Sequence, residues 1–245
     1  MGRQFEVRWE GELSASPSEV WAGFTAHTAG WLWKIDYEPR VGGAERGLSG
    51  SGGTVTVWDP PNRFVTRAVD GDGANELDYR VEPRGTGSYL RYVHRGVIAG
   101  DYERELDACR QHTAFYQHTF GEYLRHFVGR DAAYVSAAGP ETSARGGFAA
   151  LRRALGVGPD VAVGDRIRLT PAGLTPIEGT VDYATPAFLG VRAAEALHRF
   201  YGRDAWGWPV GVAHHYFAEG VDEAAEASRW QTWLTAALAA TGAVA

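Results

Sequence analysis

The chain has 245 residues, of which 44% are apolar, 12% aromatic and 22% charged, and its formal net charge is −6. That composition excludes a disordered or fibrous protein, and the lack of a basic excess argues against a reader of nucleic-acid backbone or a binder of anionic membrane. With one Cys and no continuous apolar core in "MGRQFEVRWEGEL", nothing asks for an oxidising compartment or a signal peptide, and the cytoplasm is the expected location.

Residues 3–13 alternate, with Phe5, Val7, Trp9 and Leu13 on one face and Glu6, Arg8, Glu10 and Glu12 on the other, which predicts a half-buried strand. In "SASPSEVWAGFTA", Ser16 can cap, Pro17 suits a first turn and Glu19 completes a capping box, so a helix follows with Val20, Trp21 and Phe24 inward. The Gly-rich "RVGGAERGLSGSGG" separates "WLWKIDYEP" from strands expected at 54–58, 64–69, 76–82 and 89–97, joined by "DPPN", "DGDG" and "PRGTG". From 101 to 128 the period lengthens to that of a helix, with one seam through Tyr102, Leu106, Cys109, Thr113, Tyr116, Phe120, Leu124 and Phe127. Strands followed by one long helix imply an α+β layout, an antiparallel sheet curved around that helix.

Residues 131–147, rich in Ala, Gly and Ser, read as a linker. Beyond it the expected elements are a helix at 148–155, strands at 165–170 and 177–183, an apolar run at 188–191, a short helix at 193–201, a strand at 210–217 and a terminal helix at 222–240. The last 13 residues, "WLTAALAATGAVA", are too few to span a bilayer. "GTVTVWDP" at 53–60 recurs as "GTVDYATP" at 179–186 in the same element order. This suggests one complete unit, 1–130, and a partial copy, 148–245, that has no counterpart of the opening strand and the "SPSEVW" helix.

In the first half, "SPSEVWAGFT", "AGWLWK", "EPRVGG", "GTVTVWDPPNRFV" and "YRVEPRGTGSYLRYVHRGV", followed by a long helix, resemble in order the activator of heat-shock-protein-90 ATPase homologue family. That family lies in the START-like, helix-grip superfamily, also called SRPBCC, and the resemblance covers residues 3–128; the second half resembles the later part of the same domain loosely. It implies a sheet of about seven strands gripping the terminal helix, with a cavity for apolar ligands between them, followed here by a truncated helix-grip-like unit. It does not imply one function, since the fold hosts carriers, receptors, cyclases and co-chaperone domains.

Strand parity in "YLRYVHRG" turns Arg91 and Arg95 to solvent and Tyr92 and His94 toward the helix. His94 is then either a hydrogen-bonding or acid–base group for a ligand or a core histidine bonded to a neighbour. The lining implied by the resemblance is Trp9, Tyr79, Tyr92, His94, Cys109, Thr113 and Tyr116, with Trp31 and Trp33 near the mouth, around a pocket of about 300 to 1,000 Å³. Cys109 on the seam reads as a small buried hydrophobe.

His214 and His215 are adjacent on a strand, and His112, His118 and His126 are too widely spaced, so no metal site is expected. No Gly-rich stretch has a phosphate-loop or dinucleotide spacing, so no cofactor is implied. The expected function is binding of a small apolar or aromatic molecule. The alternatives are an aromatase/cyclase-like enzyme using His94 with Tyr92 or Tyr116, and a co-chaperone-like domain with a protein partner.

Overall fold

The computed structural model describes residues 2–70 and 73–239. The chain forms two compact units that divide between Asp131 and Ala132.

In the first unit, strand β1 (Arg3–Leu13) alternates as its sequence dictates, with Val7 and Leu13 buried. The Ser16 hydroxyl accepts the Glu19 amide while the Glu19 carboxylate accepts the Ser16 amide at 2.8 Å, and this capping box opens helix α1 (Pro17–Thr25). Two strands of two and three residues, β2 (Asp36–Tyr37) and β3 (Ala44–Arg46), come next, too short to show alternation. Four longer strands follow: β4 (Gly53–Asp59), β5 (Arg63–Asp70), β6 (Gly73–Arg84) and β7 (Gly87–Ile98). Helix α2 (Tyr102–His126) begins at Asp101, whose side chain accepts the Arg104 amide. The strands make one seven-stranded antiparallel sheet in the order β1-β7-β6-β5-β4-β3-β2. This is the helix-grip arrangement: α2 lies along the inner face, packed mainly on β1. On the other face Arg95 bridges Glu6 at 2.7 Å and Glu76 at 3.1 Å, so the parity read from "YLRYVHRG" holds.

The second unit contains β8 (Ala133–Ala138), α3 (Gly147–Ala154), β9 (Arg166–Leu169), β10 (Ile177–Ala184), β11 (Phe188–Ala193), β12 (Ala196–Tyr201), β13 (Gly211–Tyr216) and α4 (Glu223–Leu238). The position 240 expected to end the last helix lies outside the described residues. Three expectations are corrected here. Part of the expected linker at 131–147 is strand β8, which pairs along β13; "AYVSAA" is short and small-residue-rich, so its alternation is faint. The helix expected at 193–201 is strand β12, buried at every position, and a strand covered on both faces loses the two-residue period that marks one. The opening strand and first helix expected to be missing are present as β8 and α3. The sheet order, β8-β13-β12-β11-β10-β9, is the first unit's circuit less its last edge strand. The second unit is therefore truncated by one strand, at the opposite edge from the one expected.

The repeated "GTV" falls in matching strands, β4 and β10, each fifth in its sheet order. Both strands shift register directly after its valine, between Val55 and Val57 and between Val181 and Tyr183. Both valines exchange backbone hydrogen bonds with a glycine turn. Val55 N donates to Gly43 O at 2.8 Å and Val55 O accepts from Gly42 N at 2.8 Å; Val181 N donates to Asp165 O at 2.8 Å and Val181 O accepts from Gly164 N at 2.9 Å. Gly42 and Gly164 have φ of 78° and 98°, a conformation that requires glycine.

From these valines the register runs across each sheet as one row. In the first it passes through Val55, Thr66, Leu77, His94 and Val7. In the second it passes through Val181, Val191, His198, His214 and Val135. His94 and His214 therefore occupy the same place in the circuit. Counting along α2 and α4 from their caps, Asp101 and Asp222, Cys109 matches Trp230, Thr113 matches Leu234 and Gln117 matches Leu238.

Among the described residues no helix is long and apolar enough to cross a membrane, and no group of three or more His, Cys, Asp or Glu could hold a metal ion.

Candidate functional site

Between the inner face of the first sheet and α2 lies a cavity of about 200 Å³. Strands β6 and β7 supply Asn75, Leu77, Tyr79, Tyr92 and His94 from alternate positions, while α2 supplies Cys109, His112, Thr113, Tyr116 and Gln117 from successive turns. Trp31, Leu32, Trp33 and Leu48 complete the wall. Among the described residues no carboxylate, Arg or Lys side chain lines it. Eight of the nine residues singled out from the sequence meet there, in a space smaller than the 300 Å³ expected at least.

The ninth, Trp9, stands on the correct face of β1 but outboard. It borders a separate groove with Arg8, Arg110 and Ala114, because β1 is the sheet's edge strand and α2 covers only its inner side. Thr113 touches both spaces.

The two tryptophans expected near the mouth differ in role. Trp31 is buried, donates its indole N–H to Gly23 O at 2.9 Å and packs on Phe120 with ring centroids 4.6 Å apart, so it braces the wall. Gly23 permits this packing, since a Cβ there would lie 2.6 Å from the Phe120 ring. Trp33 is half-buried, donates to Gly47 O at 2.7 Å and meets Tyr116 edge-on. His94 and Asn75 also border an open groove of about 400 Å³ formed by Phe5, the 49–51 loop and the Gly96 end of β7. The wall they form stands between the two spaces.

His94 is held at both ring nitrogens. Its Nε2 lies 2.5 Å from Asn75 Oδ1 and its Nδ1 lies 3.3 Å from Cys109 Sγ. One tautomer satisfies both contacts: Nε2–H donates to the amide oxygen, and the Nδ1 lone pair accepts the thiol proton. Burial lowers the imidazole to about 4 and raises the thiol to about 11, the latter partly offset by a hydrogen bond from Thr113 and the charge of Arg110. The pair therefore rests as neutral imidazole and neutral thiol. Burial likewise raises the Tyr79 and Tyr92 phenols, so they stay protonated and can donate.

Asn75 and Gln117 were missed by sequence reasoning, although both were within its reach. Asn75 has the strand parity of Tyr79, and Gln117 is one helical turn beyond Thr113.

No protein-family model matches the chain, and no curated protein matches it. Among solved structures it is similar to DynU16, described as a protein of the dynemicin biosynthetic locus, at 14% identity and a TM-score of 0.44, over 97% of this chain and 96% of that one. CalU16 from Micromonospora echinospora matches at 19% identity and a TM-score of 0.41, over 50% of this chain and 76% of its own. The Aha1 dimer from Colwellia psychrerythraea matches at 15% identity and a TM-score of 0.41, over 49% of this chain and 96% of its own.

Proposed function

We propose that the first unit binds a small uncharged aromatic or alicyclic molecule in the cavity between its sheet and α2. The observation that supports this is a partly open space between sheet and helix with aromatic walls and no charged group, into which a few polar tips converge. Such a lining favours an apolar ligand and orients it by one or two hydrogen bonds. An apolar cavity of about 150 Å³ accepts benzene, so about 200 Å³ suits one substituted ring.

The test is thermal melting of the full chain with small neutral rings such as phenol, indole and cyclohexanone. A ligand at a hundredfold excess over its dissociation constant should stabilise the protein by about 2.7 kcal/mol. Thr113→Trp, which places an indole in the cavity, should abolish that shift. A set of such compounds that leaves the parent melting temperature unchanged would overturn the proposal.

The enzyme reading of the family resemblance keeps one supporting observation, the fixed orientation of His94. Both of its nitrogens are engaged, however, so a proton reaches a ligand from His94 only after Cys109 or Asn75 gives way.

A further inference from the structure

Thiol, imidazole and amide oxygen stand in sequence in the first cavity: Cys109 Sγ is 3.3 Å from His94 Nδ1, and His94 Nε2 is 2.5 Å from Asn75 Oδ1. This order of groups lets a base take a thiol proton while a third group fixes the tautomer of that base and stabilises its charged form. A second observation, independent of the cysteine, marks the space as one made for a ligand. Gln117 lines the same cavity and is 2% exposed, and its side-chain oxygen has no hydrogen-bond partner among the described residues. A buried carbonyl oxygen left without a donor is costly unless something that enters the cavity, a ligand's hydroxyl or a water carried in with it, supplies one.

We propose that Cys109 captures a small uncharged α,β-unsaturated carbonyl compound by conjugate addition, with His94 carrying the proton and Asn75 positioning His94. This rests on the reading of the cavity as a binding site. The S–H bond breaks and its proton passes to Nδ1, while the sulfur electron pair forms a C–S bond at the β-carbon. The π pair of the C=C bond moves onto the α-carbon and carbonyl, and Nδ1 then returns the proton to the α-carbon. The product is a thioether, and no oxidant or other co-reactant enters the balance.

The class of electrophile follows from the walls. A charged reagent would lose its hydration with no ion to meet it, and the volume admits one ring. The titratable groups facing the pair across the cavity are Tyr79, Tyr92, His112 and Tyr116, none of them a carboxylate, and Arg110, next to Cys109 on α2, acts on the thiol by its charge. The neutral resting state, with the thiol at about 11 and the imidazole at about 4, leaves the sulfur inert until an electrophile is seated beside it. Reactivity then depends on fit rather than on the fraction of thiolate in solution.

The probe is 2-cyclohexen-1-one, applied to the full chain and followed by intact mass. Cys109 is the one cysteine of the sequence, so a thioether adduct reports this site. The expected result is a single adduct whose rate of formation is flat between about pH 6 and 9, whereas an unassisted thiol speeds up tenfold per unit below its own pKa. His94→Gln should slow the reaction about 10²-fold near neutrality and bring back the tenfold-per-unit rise. Asn75→Ala should slow it less and keep the profile flat. A parent rate that already climbs tenfold per unit, or a His94→Gln rate equal to the parent's, overturns the proposal. Should His94→Gln fail to fold, the parent profile alone decides. Cyclohexanone, which lacks the double bond, separates the two readings. If it raises the melting temperature while cyclohexenone leaves no adduct, the covalent step is wrong and the binding site stands. If neither binds, both fail.

Discussion

The two units run the same circuit around different interiors. At one place in the row, His94 of the first sheet meets Cys109 at the wall of a cavity, while His214 of the second faces Trp230 with ring centroids 4.4 Å apart. Where α2 carries Cys109, Thr113 and Gln117, α4 carries Trp230, Leu234 and Leu238, each at most 2% exposed and part of one continuous core with Phe200 and Val135. Three helix positions thus carry small or polar residues where the grip holds a ligand-sized space and large apolar ones where it is filled. The cavity belongs to the side chains and not to the fold, so the second unit serves as a filled reference for the first.

The sharpest way to break that comparison is to hollow the filled unit. Trp230→Ala removes a buried indole and should lower the stability of the full chain by about 3 to 5 kcal/mol, read as a lower denaturant midpoint. A loss under about 1 kcal/mol would mean that the second core is not closed around this residue.

Acid comes next, because both units bury histidines. Burial lowers His94 to about 4 and His198 to about 3, and His214 lies well below its ordinary value of 6.5. The unfolded chain takes up protons below about 6.5 while the folded chain does not. Their contribution is therefore complete above about 6.5 and is lost as pH falls toward 4, for His94 by about 3 kcal/mol. Carboxylates lowered from 4.5, such as Glu6 and Glu19, add their own loss of stability as pH falls through about 4.5 and below, at the acid end of that range. Urea titrations at intervals from pH 7 to 4.5 should show a steady decline, and His94→Gln should reduce its slope.

Converting the hollow unit into the filled one is a finer test. Cys109→Trp gives α2 the residue of α4 and should eliminate ligand-induced stabilisation of about 2.7 kcal/mol while the ligand-free protein still melts cooperatively. If phenol or cyclohexanone still stabilises this variant, its binding lies elsewhere. The smallest effect is at the first helix of each unit: α1 has the Ser16 capping box, and α3 starts at Gly146 with no side-chain cap. Ser16→Ala should cost about 1 kcal/mol by thermal melting, whereas Gly146, at φ 66°, has no cap to lose.

The first unit was largely legible in its sequence because β1 and β7 each have one covered face and one charged face, so period and parity are written in "RQFEVRWEGEL" and "YLRYVHRG". The same parity brought Tyr92 and His94 to the cavity beside Cys109 and Thr113. Asn75 and Gln117 escaped notice since an amide carries no periodic signal, and Trp9 was misplaced because parity gives the face of a strand but not its distance from a sheet's edge. The second unit was harder to read. Strand β12 is covered on both faces and rich in residues that also suit helices, and β8 is mostly small residues, so neither announced itself.

The register shift after the valine of each "GTV" has one more consequence. In β4 it places Val55 and Trp58 on the same inner face although their positions differ by an odd number, and Trp58 reaches Phe64 and Trp21 at 5.7 and 5.0 Å. The bulge works as a phase change written into the chain, so the two ends of the strand are read in different frames. Deleting Thr56, an exposed residue, would remove the bulge and leave Trp58 two places from Val55, still on the inner face opposite Phe64, whereas a strand that kept every residue but lost the bulge would turn Trp58 out to water. Along β4 it is the bulge, with its one extra residue, that keeps Trp58 on the inner face.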